Sequence, residues 1–246
     1  MLTEKDIALL RENDINKKTI EEQLDFFRKG FPFLELVASA SVEKGIMQIS
    51  DSDKYRKIWA DYCLQDKIIT KFVPASGAAS RMFKSLFEFL DSNTDIPEKQ
   101  SEKDFFAKLE QFAFYADLNT ECKKNKVKTI PELLSEQAYK PIVASLLQPE
   151  GLNYGNLPKG LLKFHKYTDE VRTPVEEHLT EGASYAKSKG KVNIHFTVSP
   201  NHRALFETLV KDKLGKYEDR LGVKYNISFS EQKPKTDTIA VDMDNN

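Results

Sequence analysis

Apolar residues recur along this chain at two spacings, and the change from one to the other falls near Gly151. Before it, the spacing is mainly helical. Thr3 with Asp6 three residues on reads as a capping arrangement, and Ile7, Leu9 and Leu10 begin an apolar face that ends near Asn13. A second helix is predicted from about Lys17 to Lys29, with Ile20, Leu24 and Phe27 facing inward and Gly30 as its stop. The run GFPFLELVASASVEKGI is irregular and reads as an apolar clamp. Ser52 caps a third predicted helix, whose stripe of Tyr55, Ile58, Trp59 and Tyr62 is expected in the core. IITKFVPA is the first strand, with Ile69, Phe72 and Val73 inviting burial on both faces as in a central parallel strand. The pattern is helical again from Ala79 to about Leu90, and Ser101 with Asp104, Thr129 with Pro131, and Pro141 open further helices before Pro149.

Beyond Gly151 the period shortens. In KVNIHFTVSPNHR, Val192, Ile194, Phe196 and Val198 alternate with Asn193, His195 and Thr197, after which Ser199 caps a helix that has Pro200 at its first position. VKYNISFS alternates too, with Val223, Tyr225, Ile227 and Phe229 on one face. Strands separated by helices predict βαβ units and a largely parallel sheet, hence an α/β fold. The expected organisation is a helical N-terminal region over residues 1–66, an α/β domain built from 67–92 and 151–246, and a helical insertion over 93–150.

A length of 246 residues allows a real core without staples. With 37 basic against 38 acidic residues, the chain has no overall electrostatic footprint for nucleic acid, so any anion site must be local. Cys63 and Cys122 are too few for a disulfide framework and read as structural thiols in a reducing compartment. The charged N-terminus and the lack of a long apolar run predict a cytoplasmic protein with no membrane partner.

The candidate chemistry lies in KFVPASGAASRMFKSL, where a strand runs through small residues into a helix. Ser76, Gly77, Ala78, Ala79 and Ser80 would let the backbone approach a ligand, the helix would present unpaired N–H groups, and Arg81 would add a guanidinium fork: a phosphate cradle. It is neither a P-loop nor a three-glycine dinucleotide fingerprint. The same small residues would also serve close packing of helix on sheet.

These stretches carry a resemblance. SGAASR resembles the GGxGTR loop of sugar-nucleotide pyrophosphorylases, LPKGLLKF their later proline-lysine segment, and IHFTVS their second strand, which ends in a small hydroxylated residue, here Ser199. The likeness is closest to enzymes that make uridine diphosphate N-acetylhexosamines. QLDFFRKGFPFLELV, KFVPASGAASRMFK and FSEQKPKTDTIAVDMDNN further resemble a bacterial family, domain of unknown function 4301, along almost the entire chain. The resemblance implies a Rossmann-like nucleotide-diphospho-sugar transferase sheet of the GT-A type, incomplete here and expected to be the front half of a longer protein. It implies that Ser76 to Ser80 wrap the nucleotide phosphates and that Arg81 stabilises the pyrophosphate leaving group. Lys159 would hold the attacked phosphoryl group or the sugar phosphate, and Mg²⁺ held largely by downstream residues would bridge the phosphates. The implied partners are a nucleoside triphosphate and a sugar 1-phosphate, joined by attack on the α-phosphorus with release of pyrophosphate. The chain departs from the pattern at Ser76 and Ala79, where the family has glycines, and in the long insertion between Arg81 and Lys159.

Other signals are weaker. Asp242 and Asp244 are read as acids of a polar tail, with no metal site assigned. His165, His178, His195 and His202 have no metal-ligand spacing, and His202 is either a substrate contact or a solvated helix residue. The SxxK spacings at Ser41/Lys44 and Ser184/Lys187 lack a supporting motif, and Lys123, Lys124, Lys126 and Lys128 read as a solvated connection between helices. Three functions therefore stand side by side: a nucleotidyltransferase, a sensor that kept the cradle and lost catalysis, and an interaction module in which the loop only packs.

Overall fold

A computed structural model describes residues 2–243. The chain divides into two compact units, one formed by residues up to Ala60 together with those from Gln232 on, the other by Asp61–Glu231.

The first unit opens with α1 (Glu4–Glu12), where the Asp6 carboxylate accepts from the Thr3 N–H at 2.7 Å and Thr3 Oγ1 accepts from the Asp6 N–H at 3.2 Å. This is the capping box the sequence predicts. In α2 (Lys17–Lys29), Asn16 caps the start, Gly30 at φ +82 ends it, and Ile20 is buried. The clamp expected next is not formed: besides β1 (Ser41–Val42) and β2 (Gly45–Ile46) the stretch is irregular, and Phe33 is 99% exposed. In α3 (Ser52–Cys63) the cap is Asp51, which accepts from the Lys54 N–H, rather than Ser52. No residue of α3 is buried, so the aromatic stripe is not core. Periodicity identifies residues that share a face, not whether another element covers it. The segment after Glu231 closes onto α2, with the Ile239 N–H donating to Gln23 Oε1 at 3.0 Å.

In the second unit β3 (Thr70–Pro74) leads through a loop to α4 (Lys84–Asp91), α5 (Gln100–Ala107), α6 (Tyr115–Lys126), α7 (Ile130–Ser135) and α8 (Tyr139–Leu147). A hairpin of β4 (His165–Lys166) and β5 (Val171–Arg172), α9 (Pro174–Tyr185), β6 (Lys187–Ser188), β7 (Lys191–Val198), α10 (Arg203–Leu221) and β8 (Lys224–Glu231) complete it. β7 is the central strand, parallel to β3 and β8, and β6 folds back antiparallel on its start. β3, expected to be central, is at the edge: only Val73 is buried, and Phe72 is 63% exposed. Five apolar-rich residues cannot by themselves distinguish an edge strand from an inner one. The mixed α/β architecture with parallel pairing agrees with the βαβ reading, since β7, α10 and β8 form such a unit. Further corrections concern local starts. α4 begins at Lys84 instead of Ala79, the Glu102 side chain rather than the Ser101 and Asp104 pair caps α5, and Lys123, Lys124 and Lys126 form the last turn of α6 rather than a connection. There they complement the helix dipole.

Two cores result. One joins α4 to α8 around Leu86, Phe89, Leu118, Ile142 and Leu146. The other sets α9 and α10 against one face of the sheet, around Leu179, Ile194, Phe196, Phe206 and Tyr217. Among the described residues no helix is long and apolar enough to cross a membrane.

Candidate functional site

The loop after β3 ties the two cores together, and this explains two of its six small residues. Ala75 is buried in the sheet core and Ala79, fully buried, in the helical one. Ala79 is thus a packing residue, and its side chain is withdrawn from any ligand. Between these anchors Ser76 is half-buried, and Gly77 and Ala78 are exposed. Gly77 has no positive φ, and a Cβ built on it would meet nothing within 4 Å, so this backbone lies open to solvent.

Three segments leave the carboxyl ends of the parallel strands or abut them, where ligands bind in open α/β sheets. Pairing of β3 with β7 continues one residue past the strand, since the Ala75 N–H donates to the Thr197 carbonyl at 2.8 Å. Ser76 and Ser199 therefore emerge from adjacent strands. The proline-lysine segment lies on the loop: Ala78 bridges Pro158, and the Lys159 N–H donates to the Gly77 carbonyl at 3.0 Å. From the other side α10 fixes it, because a Cβ on Gly160 would stand 2.9 Å from Phe206 Cε1. Thus Ser76 to Arg81 and Lys159, 78 or more positions apart in the chain, form one backbone-linked surface.

Its electrostatics are distinctive. Arg81 and Lys159 are exposed, and among the described residues neither side chain has an ion-pair or hydrogen-bond partner. The Ser80 hydroxyl likewise has none. Nearby Arg203 is occupied by Glu207 at 2.8 Å and Glu231 at 3.1 Å. Ser199, the small hydroxylated residue that the resemblance places at the end of the second strand of a nucleotide site, is bonded through Oγ to His202 Nδ1 at 2.8 Å, which makes the pair a local brace. Arg81 lies in a turn ahead of α4 rather than in its first turn, so the cation and the helix N-terminus are successive features of the chain.

For Mg²⁺ the donor set does not fit. No group of three or more His, Cys, Asp or Glu residues is arranged to hold a metal among the described residues, and Glu231 is already paired with Arg203. Asp242 belongs to the first unit, and Asp244 lies outside the described residues.

A second constellation escaped the sequence reading. Lys71 on β3 donates to Glu181 Oε2 at 2.7 Å and to Tyr185 Oη, while His178 Nδ1 is 3.1 Å from the same Glu181 oxygen. Burial depresses the Lys71 pKa, but the hydrogen bonds to Glu181 and Tyr185 outweigh it and leave the net shift upward. A lysine held protonated cannot act as an amine nucleophile. The group is an edge clasp between β3 and α9. Cys122 is likewise inert, its thiol pKa raised by burial.

A mixed α/β protein with open cations at the carboxyl edge of parallel strands is what the geometry defines. Residues 3–246 match the family described as Domain of unknown function (DUF4301), and the chain belongs to that family. No curated protein and no solved structure matches it.

Proposed function

We propose that the surface formed by Ser76 to Arg81 and Lys159 binds the phosphates of a nucleotide or sugar phosphate. The observation that carries this reading is the pairing of the two segments through Ala78 and Pro158, which assembles two unpartnered cations and open backbone on one surface. Guanidinium and ammonium groups beside bare backbone suit a multiply charged anion. The fuller version is nucleotidyl transfer in a GT-A-like sheet, by the resemblance to sugar-nucleotide pyrophosphorylases: Arg81 would then face the leaving pyrophosphate and Lys159 the attacked phosphoryl group. In that reaction magnesium would arrive with the nucleoside triphosphate, since among the described residues no set of three or more carboxylates, histidines or cysteines is arranged to hold it. The poverty of carboxylates favours a second reading, a sensor that binds without turnover.

Thermal unfolding of the chain with each ribonucleoside triphosphate, and with tripolyphosphate, tests the site. A ligand at 100 times its Kd adds about 2.7 kcal/mol of stability. The expected result is a saturable rise in Tm that Arg81→Ala and Lys159→Ala each weaken at least tenfold. Unchanged titrations in both variants would reduce the loop to a packing turn. Pyrophosphate release in the presence of a sugar 1-phosphate separates transferase from sensor.

A further inference from the structure

Met82 follows Arg81 directly and lines a cavity of about 470 Å³ whose walls include Phe83, Phe105, Phe112, Phe114 and Phe164. That volume is in the range of small-molecule pockets. Three of the rings form a ladder, with centroids 5.5 Å apart at 27° between Phe105 and Phe112 and 5.1 Å apart at 7° between Phe112 and Phe114. Phe105 and Phe112 are only half-buried, so aromatic surface remains accessible. Ser85 and Ser101 line the same cavity, and among the described residues neither hydroxyl has a hydrogen-bond partner.

The combination is selective. An alkyl chain gains nothing from two unpartnered hydroxyls, and a sugar ring finds too few polar groups among five phenylalanines. A flat heteroaromatic ring uses both features, stacking its face on the ladder and directing its polar edge to hydroxyls. We infer that this cavity seats the base of a nucleotide whose phosphates lie at the Ser76 to Arg81 loop, so that the ligand of this site is a nucleotide rather than a bare sugar phosphate. The inference rests on the phosphate-binding reading above, and it gives the helical block between β3 and β4 the task of holding the base.

Isothermal titration of the full chain with the four ribonucleoside triphosphates, tripolyphosphate and the four free nucleosides tests it. At least one triphosphate should bind tenfold or more tighter than tripolyphosphate. Phe105→Leu, which keeps apolar volume but removes the ring, should erase that advantage and leave tripolyphosphate binding unchanged. Ser101→Trp, at an exposed position, should do the same by filling the cavity, and guards against a folding defect in the first variant. If every triphosphate matches tripolyphosphate, the base seat is overturned while the phosphate site stands. An advantage that persists in both variants also overturns it. If tripolyphosphate fails to bind but a nucleoside binds and is lost in Phe105→Leu, the base seat stands and the phosphate reading falls; if nothing binds, both fall.

Discussion

Glu170 accepts from Lys216 at 2.6 Å, Arg220 at 2.5 Å and Arg172 Nε at 2.6 Å. Lys216 first, then Arg220, and then Arg172 hold its carboxyl far below the ordinary 4.5, at about 2, against the opposing effect of burial. Arg172 is itself buried, stacked 4.3 Å over the Tyr167 ring and also paired with Glu177. Removing the central carboxylate leaves that guanidinium with Glu177 alone, and since Lys216 and Arg220 are half-exposed and screened by solvent, Glu170→Gln should lower stability at pH 7 by about 1–2 kcal/mol in denaturant unfolding. Because the folded pKa is depressed, the contribution is present above 4.5 and is lost as pH falls toward about 2. The gap between variant and wild type should therefore close across that window; equal stabilities at pH 7 would sink the claim. None of this was legible in sequence, since Lys216 and Arg220 lie 46 and 50 residues from Glu170 and leave no local spacing. Gly77 and Arg81 were legible as candidates because a strand, small residues and a cation follow one another locally, whereas Lys159, 78 positions on, came only from the resemblance of LPKGLLKF to a proline-lysine segment. The division of labour between Ala79 and Gly77 was not, because burial is decided by distant partners.

In α9, Thr173 and Glu176 form a buried capping box and Pro174 takes the first position. Farther along, Gly182 faces β7, and a Cβ there would stand 2.9 Å from Val192 Cγ1 and 3.0 Å from Ile194 Cδ1. Helix propensity alone favours alanine over glycine by about 1 kcal/mol, whereas overpacking a core costs about 1–3 kcal/mol. The fully buried valine and isoleucine have little room to move, so Gly182→Ala should be net destabilising by about 1 kcal/mol. Gly215 in α10 has open space around it, and Gly215→Ala should stabilise by about 0.5–1 kcal/mol. Denaturant midpoints of both variants check the pair, and shifts of the same sign would refute the packing argument. Strands β7 and β8 were readable because one face is more buried than the other, fully so in β7 and partly in β8, which writes a period of two into the sequence. The start of α4 was not, because residues 80–83 turn without helical geometry although their composition permits a helix.

Ile20 is the one buried residue among those described in the first unit, whereas the second unit holds both cores. Local opening follows poor burial. Limited trypsin digestion should therefore cut first at Lys44, in the exposed stretch between α2 and α3, and mass spectrometry of the earliest fragments checks this. A first cut between β3 and β8 would contradict it. The parallel sheet was readable as a class, but the order of its strands depends on pairing across the chain. That pairing has a further consequence during synthesis. β7 finds β8 only 33 residues away, while its contacts to the β3 side span 124. At 5–20 residues per second, β3 would wait roughly 6–25 s for its partner to be made. Closing the longer loop costs about 1 kcal/mol more, two doublings of length. The strand that carries the candidate site is thus the first strand of its sheet to be made and waits longest for a partner, and on the ribosome the loop after it has no fixed neighbour until β7 arrives.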